Sequence, residues 1–434
     1  MNPRALAGIL AMVTLANPAR AAERPPANYE ESRVRPYVLP DPLATRDGRR
    51  VTDAADWTAK RRPELVELFA THVYGRTRLG RPAQMQFAVT SVDRAALGGR
   101  AVRKQVTIWF GERRAGTPKI DLLIYQPKGE PRGQAPWPVF LGLNYYGNQC
   151  VNADPGIALS TAWMRANSGA HIVDHRATEG TRGAHASRWN VETVVARGYA
   201  TATVYYGDIC PDFAGAESGA LGGLLGGRAN AERGPDEWAA IGMWAWGLSR
   251  VMDYLETDPE LDARRVALHG HSRLGKTALW AGAQDTRFGL VISNNSGCGG
   301  TALERRNFGE TVADIVRGFP HWFARNFEMY GGREDQLPVD THELLALIAP
   351  RPLYVASASE DHWADPMGEF LAVKAAEPVY ALFGLPGLGV EKQPPPNSPV
   401  GGGVISYHVR AGQHDITAYD WAQYLDFADR HWRK

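Results

Sequence analysis

Residues 264–279 read RRVALHGHSRLGKTAL, and the rest of the chain is interpreted outward from this stretch. The run from Val266 to His269 has the length of a strand, and residues 273–279 are rich in helix formers. Between them stands Ser272, with small residues where the backbone must turn sharply. This pattern is typical of a nucleophile elbow, which exposes a serine hydroxyl at a strand tip in front of a helix N-terminus. The alternative is an ordinary strand-to-helix turn in which Ser272 caps the helix.

The motif departs from the generic form G-x-S-x-G, because Arg273 and Leu274 separate Ser272 from Gly275. Ser272 is still a candidate nucleophile. A serine nucleophile needs a base to take its proton and an acid to orient that base, so both must be sought elsewhere in the chain.

The composition favours a globular chain with a large core. With 434 residues, 44% hydrophobic and 22% charged, the chain is long enough for one large α/β domain with added loops. Its 48 basic and 47 acidic residues nearly cancel, which argues against a nucleic-acid or membrane-surface partner. We expect a monomer.

The N-terminus resembles an export signal. Arg4 precedes an apolar run over residues 5–16, and Ala19-Arg20-Ala21 has the small-x-small form of a cleavage site. We therefore predict a signal peptide over residues 1–21 and a mature chain that is periplasmic or secreted. In such an oxidising compartment cysteines can pair.

Three cysteines leave at least one unpaired within a monomer. Cys150 and Cys210 each follow a predicted strand, so both should lie in loops at one edge of a parallel sheet. We expect a disulfide between them. The alternative is that all three cysteines are buried free thiols.

The hydrophobic pattern predicts a mixed, mostly parallel sheet. Alternating runs at 84–92, 103–110 and 119–125 predict antiparallel strands. From residue 139 onward apolar runs alternate with helical segments, which indicates a parallel sheet covered on both faces. Those runs lie at 139–143, 200–206, 266–269, 289–293, 352–358 and 404–409. Together with the elbow, this order predicts a three-layer α/β-hydrolase.

Three long stretches interrupt this alternation, near 148–188, 214–234 and 392–403. Loops of such length in a compact domain are commonly functional. The Gly-rich second stretch has no G-x-G-x-x-G motif, so no nucleotide site is predicted. We interpret residues 22–434 as one catalytic domain with these insertions.

The catalytic acid and base of this fold follow late strands, in the order Ser, then Asp or Glu, then His. Asp361 follows the run at 352–358 and is the preferred acid, with Glu360 and Asp365 as alternatives. His414 follows the last run and is the preferred base. His408 is its rival, although its place inside the predicted strand favours a structural role.

Acyl transfer also needs donors for an oxyanion. The backbone N–H of Arg273 is the first candidate, and its guanidinium can add a charged donor at the same place. Residues 144–147, NYYG, are an alternative source of a second donor. The pair His171 and His175 lacks a metal-binding context, so neither a metal nor a cofactor is expected.

The elbow is similar to that of a known esterase family. Residues 270–276 read GHSRLGK and residues 293–300 read SNNSGCGG, which resembles the glucuronoyl esterases, carbohydrate esterase family 15. The family's G-C-S-R-x-G-K elbow appears here with His271 in place of the Cys. The resemblance is strongest to bacterial members and extends from about Trp189 to the C-terminus, through WAWGLSR at 244–250 and IAPRPLY at 348–354.

This resemblance implies an α/β-hydrolase that cleaves the ester between 4-O-methyl-glucuronic acid of glucuronoxylan and lignin alcohols. It implies Ser272 as nucleophile, Arg273 as oxyanion arginine and His414 as base. It further implies that three residues contact the uronoyl sugar: Lys276, Glu310 and Trp363. Charged partners suit sugar hydroxyls, and a Trp face suits a sugar ring.

One position departs from the family. Fungal members place the catalytic Glu where this chain has Asn295, which cannot serve as the anionic partner. The role of acid therefore passes to Asp361, in agreement with the choice from chain order. An acetyl-xylan esterase or general carboxylesterase is the alternative enzyme, and an inactive exported carbohydrate-binding protein is a further one.

Overall fold

The computed structural model describes residues 26–433 except 78, 130–135, 219, 225, 227 and 229–231. The predicted signal peptide over residues 1–21 lies outside the described residues. The strands, in chain order, are β1 Met85–Ala95, β2 Ala101–Phe110, β3 Lys119–Pro127, β4 Trp137–Asn144, β5 Ala200–Tyr205, β6 Leu261–His271, β7 Leu290–Asn294, β8 Leu353–Ala358 and β9 Ile405–Arg410.

These strands form one sheet in the order β1-β2-β3-β5-β4-β6-β7-β8-β9. The pairs β1/β2, β2/β3 and β3/β5 are antiparallel, and every later pair from β5/β4 to β8/β9 is parallel. The predicted antiparallel start and parallel continuation are therefore confirmed. Parallel pairing brings the C-terminal ends of β4 to β9 to one edge of the sheet, where the candidate residues follow their strands.

The helices connect the strands and cover the sheet. They are α1 Ala54–Asp56, α2 Arg62–Phe69, α3 Ala96–Gly99, α4 Ala186–Trp189, α5 Val191–Ala196, α6 Tyr206–Ile209, α7 Ala220–Leu224, α8 Ala240–Leu255, α9 Arg273–Gln284, α10 Val312–Gly318, α11 Arg325–Glu328, α12 Thr341–Ala346, α13 Pro366–Leu382 and α14 Ala418–Trp432. Two π-helical turns, Trp57–Arg61 and Ala70–Tyr74, flank α2 and make 54–74 one continuous helical segment.

Alternate residues of the central strands face two separate apolar cores. In β4, Leu141 packs in the core that contains residues of α8, α9 and α13, whereas Phe140 packs in the core that contains residues of α14. In β7, Val291 and Ile292 divide in the same way. Because side chains of a strand point alternately to opposite faces, this division defines three layers, as predicted for an α/β-hydrolase.

Of the three predicted insertions, the first and the third, 148–188 and 392–403, lie wholly within the described residues. The first, 148–188, contains only short helical turns such as Asn148–Cys150 and Glu179–Thr181 before α4 begins. The second, 214–234, lies partly outside the described residues.

Within the described part of the chain, no helix is both long and apolar enough to cross a membrane.

The expected disulfide between Cys150 and Cys210 is not formed, and this prediction was wrong. Both thiols are buried and free, as is the third, at Cys298. The Cys150 thiol donates to the Tyr146 carbonyl at 3.0 Å, in the turn that follows β4. Cys210 instead packs into the core beneath α8, where its carbonyl accepts from Trp244 Nε1 at 2.7 Å. Each thiol thus interacts with a backbone carbonyl close to it in the chain rather than with the other sulfur.

Candidate active site

Ser272 occupies the sharp turn between β6 and α9. Its φ of 58° and ψ of −130° lie in a region that residues with a side chain rarely adopt. The turn is fixed on both sides, because Ser272 N donates to the Asn294 carbonyl at 2.9 Å and its own carbonyl accepts from Gly275 N at 2.8 Å. The strained turn places Ser272 at the C-terminal edge of the sheet, as the sequence predicted for a nucleophile elbow.

Two glycines make this turn possible. A Cβ on Gly270 would lie 2.0 Å from the Leu274 carbonyl oxygen. A Cβ on Gly275 would lie 3.0 Å from both Ser293 Oγ and Ser296 Cβ on the neighbouring strand and loop. The irregular spacing of Gly275 therefore reflects where α9 passes close to β7, one residue later than in the generic motif.

His414 and Asp361 meet at the ends of β9 and β8. The two are joined by a hydrogen bond of 2.6 Å between His414 Nδ1 and Asp361 Oδ2. The Asp361 side chain is 5% exposed, whereas that of His414 is 42% exposed. Burial opposes the charge of Asp361, but His414 and Asn295 outweigh it and lower the pKa of the carboxyl. An ionised Asp361 is suited to hold an imidazole in one orientation.

Arg273, the first residue of α9, is held by a buried carboxylate. Its Nη1 donates to Asp212, whose other oxygen accepts from His321 Nε2 at 2.8 Å and from Trp322 Nε1 at 2.7 Å. Burial opposes the charge of Asp212, yet His321, Arg273 and Trp322 keep its pKa well below the ordinary carboxyl value. The guanidinium also lies over the Trp322 ring, 4.7 Å from its centroid.

A cleft of about 500 Å³ brings three of the candidates together: Ser272, Arg273 and His414 all line it. Tyr145, from the predicted NYYG segment, forms part of its wall, and its hydroxyl donates to the His271 carbonyl at 2.5 Å. Burial raises the pKa of Tyr145 to about 12, although nearby Arg273 acts in the opposite direction. Tyr145 therefore remains a neutral donor at the cleft.

The three residues expected to contact a sugar form a neighbouring group. Lys276 lies in the first turn of α9 and its ammonium donates to the Ser296 carbonyl. Glu310 N donates to the Trp363 carbonyl at 2.9 Å, and the two side chains are also hydrogen bonded. Burial raises the pKa of Glu310, against the opposing charge of Lys276. Trp363 is 37% exposed and is available for stacking.

The rival acids and base lie elsewhere. His408 is buried in β9, where its Nε2 bonds to Asp420 and its Nδ1 to Tyr354, each at 2.9 Å. Asp365 caps α13 and bonds to Arg306 Nε at 2.8 Å. Glu360 is exposed to solvent. Of these acids, Asp361 is the one bonded to His414.

His171 and His175 lie in the first insertion, both with positive φ, so they do not share a helix face. His175 Nδ1 bonds to the Met164 carbonyl at 2.9 Å, and its ring stacks on Trp163. Among the described residues there is no cluster of three or more His, Cys, Asp or Glu side chains that could hold a metal ion.

Sequence reasoning missed Asp212. Its signal was its position, since Asp212 follows β5 and the short helix α6 at the same sheet edge as the other candidates. A lone acid just before the Gly-rich stretch has no motif of its own, and its role depends on contacts with residues that are 61 and 109 positions away.

The fold and this constellation define an α/β-hydrolase with a serine-hydrolase type of site. Comparison with known proteins is consistent with that class. A family model described as "Glucuronyl esterase, fungi" matches residues 234–384. A relative named carbohydrate esterase MZ0003, from an unknown prokaryotic organism, is 49% identical over 93% of this chain and 92% of its own length.

Solved structures extend the similarity over almost the whole chain. A promiscuous CE15 esterase from a marine bacterial metagenome superposes with a TM-score of 0.86 at 48% identity, covering 94% of this chain and all of that one. A glucuronoyl esterase from Solibacter usitatus gives 0.85 at 48% identity, over 92% of this chain and all of that one. The chain belongs to the glucuronoyl esterases, carbohydrate esterase family 15, and is thus a carboxylic ester hydrolase.

Proposed function

We propose that this protein hydrolyses the ester between (4-O-methyl-)glucuronic acid of glucuronoxylan and lignin alcohols, through an acyl-enzyme on Ser272. The observation that carries the proposal is the juxtaposition of two groups of residues. One is the hydrogen-bonded pair Asp361 and His414 beside Ser272. The other is the sugar-facing group, which consists of Lys276, one turn after the serine, and of Glu310 and Trp363. The name of the Solibacter usitatus relative supports the same reading.

In the proposed reaction, His414 Nε2 takes the Ser272 proton while Nδ1 stays bonded to Asp361. Ser272 Oγ attacks the uronate carbonyl carbon, and the negative charge that forms on its oxygen is stabilised by Arg273. His414 then protonates the alcohol as it leaves. Water attacks the acyl-enzyme in a second, equivalent step and releases glucuronate.

In this proposal the sugar-facing group binds the uronoyl ring. Lys276 and Glu310 offer charged partners to the ring hydroxyls, and such hydrogen bonds are stronger than neutral ones. Trp363 offers an exposed face on which the ring can stack. These roles distinguish a uronate esterase from an enzyme that recognises only a small acyl group.

We further propose that the protein is exported, as the N-terminal pattern of residues 1–21 predicts, and acts as a monomer on glucuronoxylan fragments or lignin-carbohydrate esters. A soluble polymer-derived substrate fits a cleft that is open at the surface rather than a closed cavity.

The proposal is tested by the turnover of benzyl glucuronate. Ser272→Ala should lower kcat by about three or more orders of magnitude, because the covalent step is removed. Ser398→Ala, at an exposed serine, is the matched control and should keep wild-type turnover. Wild-type turnover by Ser272→Ala would overturn the assignment, whereas absence of glucuronate ester hydrolysis by the wild type would overturn the function itself.

A further inference from the structure

The cleft of about 500 Å³ includes the reacting serine but none of the sugar-facing residues. Ser272, Arg273 and His414 line it, but neither Lys276, Glu310 nor Trp363 does. In an ester, the acyl part and the alcohol part extend to different sides of the carbonyl carbon. If the acyl part binds the sugar-facing group, as the proposed function holds, the alcohol part extends into this cleft.

Two arginines of this cleft are not used by the proposed mechanism. The side chain of Arg165 is 49% exposed, and its closest carboxylate among the described residues, Asp212, is 3.8 Å away and fully buried. The side chain of Arg188 is 31% exposed and bonds to Asp415 through Nε at 2.7 Å. Both guanidinium groups therefore retain N–H donors that a bound ligand can use.

Carboxylates use only part of the hydrogen-bonding capacity of these two arginines. The described lining of the cleft consists of tyrosine, phenylalanine, histidine, arginine, asparagine, alanine and serine side chains, with neither Asp nor Glu. Asp212 and Asp361 are 0% and 5% exposed and are directed at Arg273 and His414, whereas Asp415 is 44% exposed and bonds to Arg188 Nε. Of the two exposed arginines, Arg165 is thus the one that has no carboxylate within hydrogen-bond distance among the described residues.

The walls of the cleft are largely aromatic. Tyr145 and Tyr146 form one side, with ring centroids 6.3 Å apart. Phe319 forms another, and Arg165 lies over its ring at 5.7 Å from the centroid. Flat apolar walls with charged donors at the rim suit a planar ring that carries an anionic group.

We propose that this cleft is the alcohol subsite and that Arg165, assisted by Arg188, makes it selective for aromatic alcohols that carry a carboxylate. The planar guanidinium matches a carboxylate through two parallel hydrogen bonds, a geometry that a neutral methoxy or hydroxyl group cannot reproduce. The ring of such an alcohol packs between the tyrosines and Phe319. The ester bond that breaks is the one already assigned to Ser272.

The test compares two esters of glucuronic acid that differ only in charge, the 4-carboxybenzyl ester and its neutral 4-carbamoylbenzyl counterpart. We expect the wild type to favour the carboxylate ester by about fivefold in kcat/KM, within the range of partly exposed ion pairs. Raising the ionic strength from about 0.01 M to about 1 M should bring this ratio close to one, because the screening length falls from about 30 Å to about 3 Å.

Substitutions test whether Arg165 causes the preference for the carboxylate ester. In Arg165→Gln the ratio between the two esters should fall to about twofold or less. In Arg165→Lys, which keeps the charge but cannot form two parallel hydrogen bonds, the ratio should lie between this value and the wild-type one. Arg176→Gln removes an equal charge from an exposed site of the same insertion, outside the cleft lining, and should keep the wild-type ratio.

Each result has one interpretation. Equal kcat/KM for the two esters in the wild type, or an unchanged ratio in Arg165→Gln, would overturn the alcohol subsite while leaving the esterase function intact. Failure of the wild type to hydrolyse the neutral ester as well would instead overturn the proposed function. A ratio lost equally in Arg176→Gln would mean that the overall charge of the insertion, not Arg165, selects the alcohol, which also contradicts the proposal.

Discussion

The side-chain amide of Asn295 donates to Asp361 Oδ2 across 2.8 Å, onto the same oxygen that bonds to His414 Nδ1. Asn295 has a φ of 46°, and its Oδ1 is buried without a hydrogen-bond partner among the described residues. The residue that replaces the fungal glutamate therefore stays in contact with the proposed triad as a neutral donor. It helps to keep Asp361 ionised and pointed at the imidazole.

Replacing Asn295 by alanine should weaken this arrangement without removing it. Loss of one donor raises the pKa of Asp361 and frees the carboxylate to rotate, so kcat should fall by about tenfold, the size expected for a hydrogen bond to a charged group. The acidic limb of the kcat/KM profile should shift to higher pH, because the less satisfied carboxylate holds the proton of the Asp361–His414 pair more strongly.

The control for this variant is Asn307→Ala. Asn307 also has a positive φ, of 50°, but it is exposed and, among the described residues, is not hydrogen bonded to Asp361 or His414. Its substitution therefore changes a residue of the same backbone conformation without removing a contact to Asp361. An identical pH profile for Asn295→Ala and the wild type would mean that Asn295 has no part in positioning Asp361.

The acid itself is tested by a pair of neighbouring substitutions. Asp361→Asn should lower kcat by about three to four orders of magnitude, because an amide cannot hold His414 in the same tautomer or stabilise its imidazolium form. Glu360→Gln removes a carboxylate one residue away, on an exposed side chain, and should have little effect. Steady-state kinetics on benzyl glucuronate distinguish the two, and the reverse pattern would transfer the role of acid to Glu360.

Much of this architecture could be predicted because it depends on local patterns. Strand-length apolar runs and the glycines around Ser272 are visible in the sequence, and parallel pairing then requires that residues after β8 and β9 meet at one edge. That is why Asp361 and His414 could be placed together from their chain order, 53 residues apart, before any contact was known.

What could not be predicted depends on packing between distant segments. Asp212 binds Arg273, His321 and Trp322 in three dimensions, and none of these partners is near it in the chain. Cys150 and Cys210 follow strands that end at the predicted edge of the sheet, yet both thiols are buried and free, and each contacts a different backbone carbonyl. Position along a strand edge does not determine side-chain direction.

Asp212→Asn should reduce both stability and activity. The Arg273 charge would be left without its buried counterion, at a cost of about 3 kcal/mol, and kcat/KM should fall by about a hundredfold as the guanidinium loses its anchor. Because the folded-state pKa of Asp212 is depressed, its stabilisation is present above the ordinary carboxyl pKa of about 4 and disappears as the pH falls further. The free energy of unfolding of Asp212→Asn should therefore not show this decrease at low pH.

Urea unfolding at several pH values measures this effect, with Asp208→Asn as the control. Burial raises the pKa of Asp208 to about 8, so below that pH its carboxyl is protonated and an amide replaces it without loss of charge. At about pH 6 we expect Asp208→Asn to unfold close to the wild-type urea midpoint and Asp212→Asn at a clearly lower one. Equal midpoints for the two variants would contradict a charged anchor for Arg273.

Glu310→Gln separates a uronate esterase from a general carboxylesterase. The substitution keeps the size of the side chain but removes the charge that Glu310 presents beside Trp363 and Lys276. Since hydrogen bonds to a charged group contribute about 1.5–3 kcal/mol, kcat/KM for methyl glucuronate should fall by about tenfold to a hundredfold. Hydrolysis of 4-nitrophenyl acetate, which has no ring hydroxyls, should change little, and Glu328→Gln at an exposed site should alter neither. A parallel loss on both substrates would mean that Glu310 supports the site as a whole, and the sugar would have to be recognised elsewhere.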